Sequence, residues 1–369
     1  MLGIINLMTQ KVVHLVYSFG CGGLEKVIVN VIDQSANYDV EHIVVSLTDE
    51  ISMAEQIKSP VTVHSLGKQE GNDLSSHRKL YRLLKEIKPN AVQTYNFGTI
   101  EYHLTAKIAG VPIRVHSDHG RGGDHPQGKN KLHNLFRKAI SYLIDHYVVV
   151  SNDLYQWVAN VLAIKPNKLA LVFNGVTVEG DVVRTSNSTD KFVTVGRLDN
   201  VKNQKLMIEA FALAVKIYPE FSNSCLDIVG DGPLYEELHE LINSLELQDK
   251  VTLLGYREDI PEILKDADIF VLSSNYEAMP MTILEAMALK TPVICTDVGG
   301  ISTFISEQEA WFSKPRDIQA LAHVMKNVKN NSQSRQQKAE VAHRLVFKQY
   351  SVERMVDTYM AMYGVAKIN

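Results

Sequence analysis

Residues 269–289 have the sequence IFVLSSNYEAMPMTILEAMAL. The apolar start at residues 269–273 predicts a buried parallel strand, and the Met, Ile, Leu and Ala residues at 281–289 predict a helix. The loop between them carries Glu277, and Glu285 lies in the second helical turn. Open α/β sheets bind ligands at the carboxyl ends of their strands, so we expect both carboxylates at a ligand crevice. The alternative for two isolated glutamates is a solvated loop position and an exposed helix position.

The same alternation of apolar, β-branched runs with helical patterns extends over most of the chain. It predicts strands in the first half near residues 12–17, 43–47, 61–65, 91–95, 113–116, 147–150 and 171–173. It predicts strands in the second half near residues 192–195, 226–229, 251–254, 269–273, 292–295 and 310–312. Such alternation indicates parallel sheets covered by helices on both faces. We therefore expect an α/β protein with two doubly wound, Rossmann-like domains.

A polar stretch at residues 185–190, rich in Ser, Thr, Asn and Asp, is the predicted linker. It divides the chain into a first domain of residues 1–185 and a second domain of residues 186–349. The closing segment, residues 332–363, has a helical pattern, and we expect a C-terminal helix at about residues 350–369 to pack back on the first domain. The cleft between two such domains is the default ligand site.

Composition excludes several classes of protein. The net charge of −4 and the lack of a clustered basic surplus argue against nucleic-acid binding. The three widely separated cysteines encode no disulfide framework and suit a reducing, cytoplasmic compartment. No apolar run approaches the roughly 18 residues needed to span a bilayer, and the first residues lack the features of a signal peptide. Because residues 1–7 add nothing to the first predicted strand, Met8 is a candidate for the natural start beside Met1.

A pair of cations lies near the start of the second domain. Gly196 and Arg197 directly follow its first predicted strand, and Lys202 comes soon after. Arg presents a planar fork to two oxygens and Lys a mobile point charge, which together suit a diphosphate leaving group. The alternative is a pair of ordinary surface cations, because Lys and Arg are mostly exposed.

Two glycine-containing turns follow other strands of this domain. Residues 230–233, GDGP, form a turn that lets backbone approach a ligand or that simply starts a helix. Residues 297–300, DVGG, offer backbone N–H groups suited to an anion.

The sequence predicts no metal site. Asp266 and Asp268 resemble a carboxylate pair for a divalent ion, but they precede a strand and so lie opposite the expected ligand edge. His and Cys residues show no other ligand spacing.

The first domain carries two glycine-rich loops. Residues 17–25, YSFGCGGLE, match neither the dinucleotide fingerprint nor the P-loop, so both of those interpretations lack support. His119 lies in the second loop, residues 117–123, with the sequence SDHGRGG. Histidine is the commonest proton-transfer side chain, although a lone loop histidine is more often structural or exposed.

Taken in order, these motifs resemble the retaining glycosyltransferases of family four (glycosyl transferases group one), which have the GT-B fold. The resemblance rests on Gly196-Arg197, Lys202-Asn203, Gly230-Asp231-Gly232-Pro233, Leu254-Gly255-Tyr256, Glu277 with Glu285, and Gly299-Gly300. Gly22-Gly23, His119 and residues 174–176 extend it more weakly over the first domain. It implies two domains facing across a cleft and sugar transfer from a nucleoside diphosphate sugar to a glycan or glycolipid acceptor. The anomeric configuration would be retained, and no metal or other cofactor would be required.

The resemblance also implies roles for individual residues. Four would be catalytic: Arg197 and Lys202 bind the diphosphate, Glu277 holds the donor sugar, and His119 lies near the reaction centre. Glu285 would bind the ribose hydroxyls. The other implied donor-binding residues are Gly22, Gly23 and Gly230, Tyr256 and Arg257 at the base, Ala278, Met279, Pro280 and Met281 at the sugar, and Gly299 and Gly300.

The expected chemistry follows from the charge on the leaving group. Cations placed in advance stabilise a departing diphosphate more in the transition state than in the ground state. The acceptor hydroxyl would attack on the leaving-group face and give its proton to the departing phosphate, so Glu277 need not be a nucleophile. Many family members have Gly-Phe or Gly-Leu after this glutamate, whereas this chain has Ala278 and Met279, which leaves the donor sugar open. The alternatives are a nucleotide-sugar epimerase or hydrolase on the same fold and a non-catalytic nucleotide-sugar-binding protein.

A basic and partly apolar segment lies at residues 129–138. Its cationic residues are Lys129, Lys131, His133, Arg137 and Lys138, and they alternate with Leu132, Leu135 and Phe136. One interpretation is a basic amphipathic face that places the enzyme peripherally at the inner face of the membrane, beside a lipid-linked acceptor. The other is a solvated helix whose apolar stripe faces the core.

Overall fold

A computed structural model of the chain describes residues 9–71, 73–122, 128–178, 182, 184 and 190–368. The chain divides into two compact units. Unit 1 comprises Met1–Asn174 and Val352–Asn369, and unit 2 comprises Gly175–Ser351. Residues 185–189 of the predicted linker, Gly123 of the His119 loop and both candidate start residues lie outside the described residues.

The predicted strands are present, with ends shifted by a few residues. The strands are β1 Gln10–Val16, β2 Val40–Ser46, β3 Thr62–Ser65, β4 Ala91–Tyr95, β5 Ile113–Asp118, β6 His146–Val149, β7 Leu169–Leu171, β8 Lys191–Val195, β9 Cys225–Val229, β10 Val251–Gly255, β11 Ile269–Leu272, β12 Val293–Thr296 and β13 Ala310–Ser313.

Helices connect these strands. The α-helices are α1 Gly23–Asp33, α2 Leu74–Ile87, α3 His103–Ala109, α4 Lys131–Ile140, α5 Asn152–Trp157, α6 Gln204–Ile217, α7 Tyr235–Ser244, α8 Ile260–Asp266, α9 Met281–Ala288, α10 Ile318–Lys329, α11 Ser332–Gln349 and α12 Val352–Tyr363.

Both units contain a parallel sheet with a reversal of strand order. Among the described residues, the sheet of unit 1 has the order β3-β2-β1-β4-β5-β6-β7, and that of unit 2 has the order β10-β9-β8-β11-β12-β13. The order reverses between β1 and β4 in unit 1 and between β8 and β11 in unit 2. Doubly wound sheets bind ligands beside the carboxyl ends of the strands at such a switch point. The topology therefore singles out the loops after β1, β4, β8 and β11.

Apolar side chains on both faces of each sheet form the cores. Strand β11 is buried along its whole length, and α9 is buried over most of its surface, as expected for an apolar strand and an apolar helix inside a layered domain. The core of unit 2 packs Phe192, Phe211 and Phe221 together, with ring centroids about 6 Å apart.

The closing segment is two helices, so the prediction of one helix over residues 332–363 is wrong at its middle. The chain leaves the helical conformation at Tyr350 and Ser351. The carbonyl of Tyr350 accepts the N–H of Val176 at 3.0 Å, and Ser351 forms a parallel bridge to Val176. Tertiary pairing replaces the next helical turn there, and α12 packs against α1 and β5 of unit 1.

Candidate active site

Glu277 lies in the loop after β11 and is only 8% exposed. The alternative interpretation of a solvated loop residue is therefore wrong. Its Oε1 accepts a hydrogen bond from Lys202 Nζ at 2.6 Å and another from Ser274 Oγ at 2.7 Å. The described residues make no hydrogen bond to Oε2. The first of the two predicted carboxylates is thus oriented by a cation and a buried hydroxyl.

The turn after β12 holds the Glu277 loop through a backbone hydrogen bond. The N–H of Gly300 donates to the Glu277 carbonyl at 2.8 Å. Gly299 has a left-handed φ of +56°, and a Cβ at this position would lie 2.0 Å from the same carbonyl oxygen. Only glycine fits such a conformation and such a contact. Because the Gly300 N–H is engaged within the protein, the observed contribution of this turn is to hold the loop.

A second set of bonds fixes Lys202 beside Glu277. Asp199 Oδ1 accepts the backbone N–H groups of Val201 and Lys202, each at 2.9 Å. The loop also receives the N–H of Asn275, which donates to the Val201 carbonyl at 2.7 Å. The loops after β8 and β11 are therefore joined at the switch point of the sheet, and this junction brings two of the four predicted catalytic side chains, Lys202 and Glu277, into contact.

Arg197 is not part of this contact. Its side chain is exposed, and its guanidinium makes no hydrogen bond or ion pair to another described residue. Its carbonyl accepts Gln204 Nε2 at 2.9 Å, which ties the backbone to the start of α6. The predicted cationic pair is therefore one ordered lysine and one arginine that projects from the same loop.

Glycines let the ends of three adjacent strands pack closely. Gly230, with a φ of +136°, has its Cα so near Gly196 that a Cβ would lie 2.1 Å from the Gly196 carbonyl oxygen. Its N–H donates to the carbonyl of Gly255 at 2.8 Å. This packing explains the glycine at position 230, and a contact of Gly230 with the donor stays a prediction.

The remaining donor-site candidates surround these loops. Residues Ala278, Met279 and Met281 are buried, and Pro280 immediately precedes α9. Glu285 is half-buried in the second turn of α9, as expected. Tyr256 is exposed after β10, whereas Arg257 pairs with Asp259 at 2.8 Å.

In unit 1, His119 follows β5 directly, because the strand continues through Ser117 and Asp118 instead of ending at His116. The N–H of His119 donates to Asn96 Oδ1 at 2.8 Å. Burial lowers the pKa of His119 to about 4, despite the opposing charge of Asp118, so the imidazole is neutral near pH 7. Its Nε2 is buried and has no hydrogen-bond partner among the described residues.

Sequence reasoning missed a buried cluster beside His119. Asp118 accepts a hydrogen bond from the Tyr147 hydroxyl at 2.5 Å and lies 3.6 Å from Arg137 Nε. Burial opposes ionisation of Asp118, but Arg137, His116 and Tyr147 outweigh it and lower its pKa to about 2. The Arg137 side chain is 1% exposed, so its predicted place on a basic surface is wrong. The position of Arg137 among apolar residues of the helix was the one sequence signal for this cluster. An arginine that is buried needs a paired carboxylate, and Asp118 provides it.

Gly22 and Gly23 lie where α1 begins, after β1. The carboxylate of Glu25 packs against Gly22, where a Cβ would lie 2.4 Å from Glu25 Oε2. Burial raises the pKa of Glu25 to about 7. Nothing in the local sequence distinguishes Glu25 from an ordinary acidic residue that favours a helix N-terminus.

Two family models match consecutive parts of the chain. The model described as Glycosyltransferase Family 4 matches residues 21–179, and the model described as Glycosyl transferases group 1 matches residues 181–344. The chain belongs to glycosyltransferase family four. Its activity class is therefore glycosyl transfer.

Curated relatives are themselves glycosyltransferases, and a solved structure shares the fold. The glycosyltransferase is 29% identical over 275 residues to UDP-Gal:alpha-D-GlcNAc-diphosphoundecaprenol alpha-1,3-galactosyltransferase of Escherichia coli, a match that covers 69% of this chain and 70% of that protein. It is 26% identical over 304 residues to N-acetylgalactosamine-N,N'-diacetylbacillosaminyl-diphospho-undecaprenol 4-alpha-N-acetylgalactosaminyltransferase of Campylobacter jejuni, covering 78% and 81%. The structure of Anabaena HepE in complex with UDP and glucose superposes with a TM-score of 0.81 at 19% identity, covering 96% of this chain and 99% of HepE. The fold is GT-B.

Helix α4 of the glycosyltransferase presents apolar side chains outward. Leu132 is 74% exposed and Leu135 is 65% exposed, so the interpretation of a core-facing stripe is wrong for these residues. Lys131 and Lys138 are exposed on the same helix, as is Lys129 just before it. No described helix is both long and apolar enough to cross a membrane.

The two carboxylates rejected as metal ligands have other partners. Asp266 Oδ2 accepts Lys191 Nζ at 3.0 Å, and Asp268 Oδ2 accepts the Lys191 N–H at 2.9 Å. Both precede β11 and so lie at the edge of the sheet opposite Glu277. They tie α8 and β11 to the start of β8.

Proposed function

We propose that this glycosyltransferase moves a sugar from a nucleoside diphosphate sugar to a lipid-linked or polysaccharide glycan, with retention of configuration and without a required metal ion. The observation that carries the proposal is the Lys202–Glu277 ion pair at the switch point of the unit 2 sheet. A cation for phosphate oxygens and an acceptor for sugar hydroxyls stand side by side there.

The charges of these side chains suit the reaction. When the donor binds, its diphosphate competes with Glu277 for the Lys202 ammonium, and the exposed Arg197 adds a second cation from the same loop. These cations stabilise the diphosphate as its charge develops on departure. Glu277 Oε2 accepts a hydrogen bond from a hydroxyl of the transferred sugar, and Glu285 accepts hydrogen bonds from the ribose hydroxyls.

The donor is proposed to be a uridine diphosphate sugar bound by residues 186–349. The Escherichia coli relative is named for UDP-Gal, and the HepE structure holds UDP and glucose. In this assignment Tyr256 and Arg257 hold the base, and the backbone from Ala278 to Met281 contacts the sugar. The neutral imidazole of His119 donates or accepts a hydrogen bond near the transferred sugar.

The acceptor is proposed to be lipid-linked and bound by residues 1–185. Both relatives described above are named for acceptors on diphosphoundecaprenol. The exposed leucines and lysines of α4 would bring the enzyme to the cytoplasmic face of a membrane that carries such an acceptor.

Donor turnover by defined variants tests the proposal. Lys202→Ala and Glu277→Ala are each expected to lower kcat/KM at least about 100-fold, the scale for loss of one strong transition-state contact. Lys205→Ala is the matched control, because Lys205 lies on α6 with a 54% exposed side chain and only a 4.0 Å ion pair to Glu237. The assay uses a panel of UDP-, GDP- and ADP-sugars with a diphosphate-release readout and thermal-shift binding.

The outcomes separate the alternatives. Wild-type rates in both variants would overturn the roles of Lys202 and Glu277. Failure of the wild-type enzyme to bind or turn over any donor would overturn the function itself. NMR of the products distinguishes transfer from epimerisation or hydrolysis, because only transfer consumes an acceptor and leaves a new glycosidic bond.

A further inference from the structure

Asn96 occupies a strained position at the switch point of the unit 1 sheet. It directly follows β4, one of the two strands between which the order reverses. Its backbone has a φ of +58° and a ψ of 178°. This region is almost exclusive to glycine, and other residues persist there only where the surroundings enforce it. Something other than backbone preference therefore favours a side chain at this position.

The side chain makes one contact that glycine could not make. Asn96 Oδ1 accepts the N–H of His119 at 2.8 Å, and the Asn96 N–H donates to the carbonyl of Ser117 at 2.8 Å. Asn96 thus joins the end of β4 to the end of β5 and sets where His119 leaves its strand.

The other side of this strand end is held independently. Asp118 is buried between the Tyr147 hydroxyl and Arg137, and Arg137 also donates to the Arg121 carbonyl at 3.3 Å. These bonds fix the residues before and after His119. The backbone of His119 itself is fixed by Asn96.

We propose that Asn96 is a positioning residue. Its amide oxygen holds the backbone of His119, and thereby keeps His119 in the orientation required for glycosyl transfer. The proposal rests on the proposed function, in which His119 contacts the transferred sugar. Asn96 itself is not assigned to the substrate. The strained backbone is retained because the neighbouring strand end needs a hydrogen-bond acceptor at this point.

Two substitutions separate positioning from stability. Asn96→Gly removes the amide and relieves the backbone, so Tm is expected to stay level or rise. We expect its kcat to fall about 10- to 100-fold, as for a small misplacement of a reacting group, with the donor KM within about twofold. Asn96→Asp keeps an acceptor oxygen and should recover most of the lost kcat. A folded Asn96→Gly enzyme with wild-type kcat would overturn the proposal.

A double-mutant cycle ties the effect to His119. If Asn96 acts through His119, Asn96→Gly should cost little further activity in a His119→Ala background. Fully additive losses would contradict this route. If the wild-type enzyme turns over donor and the His119→Ala variant has an undiminished kcat, the positioning proposal fails and the proposed sugar transfer stands.

Amide hydrogen exchange at His119 provides a readout that needs no turnover. Exchange should be faster in Asn96→Gly and protected in Asn96→Asp, because only the latter keeps an acceptor for the His119 N–H. Equal protection in all three proteins would overturn the proposal even if no donor were turned over.

Discussion

Single residues decide how the charged groups of the site are presented. Glu277 is directed by one cation and one buried hydroxyl, and its backbone is gripped by the turn at Gly299 and Gly300. Glu25 is a second carboxylate whose behaviour depends on packing, since burial alone raises its pKa to about 7. In both cases the residue type supplies a carboxylate, and the neighbouring groups determine its orientation or its pKa.

Replacing Gly299 tests the grip on Glu277. Gly299→Ala is expected to destabilise the protein by more than the roughly 1–3 kcal/mol of backbone strain, because its Cβ would also meet the Glu277 carbonyl at 2.0 Å. Gly71→Ala is the matched control, since Gly71 has a φ of +79° but no heavy atom within 4 Å of its Cβ. Urea denaturation measures stability, and donor KM measures the site. Equal losses of stability in Gly299→Ala and Gly71→Ala would contradict a specific contact between Gly299 and the Glu277 carbonyl.

At the scale of elements, helix α4 has two faces with different tasks. Arg137 points into unit 1, where it stacks on Phe97 and Trp157 and pairs with Asp118. Leu132 and Leu135 point to solvent. The helix is therefore anchored through a cation and displays apolar side chains, the reverse of an ordinary surface helix.

Liposome binding tests the outer face of α4. Exposed leucines beside lysines favour an anionic membrane surface, and each buried leucine contributes about 1.5–3 kcal/mol. We expect the wild-type protein to cosediment with anionic liposomes and a Leu132→Gln, Leu135→Gln variant to bind at least about tenfold more weakly. Leu74→Gln is the matched control, because Leu74 is 81% exposed on α2. No cosedimentation of the wild type, or an equal loss in the control, would contradict the membrane contact.

At the scale of the whole molecule, unit 1 buries a connected pair of histidines, His14 and His42, in its core. His14 bonds to the Tyr95 hydroxyl at 2.8 Å and to His42 at 2.9 Å, and His42 continues to Ser35 Oγ at 2.9 Å. Burial lowers the pKa of His42 to about 4 and that of His14 well below its usual range, helped by the neighbouring His42. The folded core thus requires neutral imidazoles.

Unit 1 should lose stability in mild acid, because His14 and His42 together outweigh Glu25. The raised pKa of Glu25 acts in the opposite sense, since the folded chain holds that proton more tightly than the unfolded chain. The unfolded chain protonates these histidines near pH 6.5, whereas the folded chain does not, so stability falls as the pH drops from about 6.5 to about 4. His42 alone accounts for up to about 3 kcal/mol over that window. Trp157 fluorescence in a Trp311→Phe background reports unit 1 during urea unfolding, since the chain has two tryptophans, one in each unit. His42→Gln should flatten the pH dependence, and an unchanged slope would contradict the assignment.

The α/β class, the strands and the edge of the sheets that carries the candidate site all follow from the sequence alone. Apolar runs of strand length, alternating with helices, leave little choice of architecture, and the positions of Lys202 and Glu277 after strands place both at carboxyl ends. Such inferences succeed because periodicity and chain direction are local properties. The roles of the individual site residues stay proposals that the substitutions above test.

Which side chains contact one another depends on tertiary packing. The Lys202–Glu277 contact joins residues 75 positions apart, Asn96 at the end of β4 bonds to His119 at the end of the adjacent β5, and Arg137 turns inward to Asp118. The break at Tyr350 likewise depends on pairing with Val176. Burial, hydrogen-bond satisfaction and pKa are set by neighbours distant in sequence, because the cost of placing a polar group in the core depends on the partners that folding brings to it.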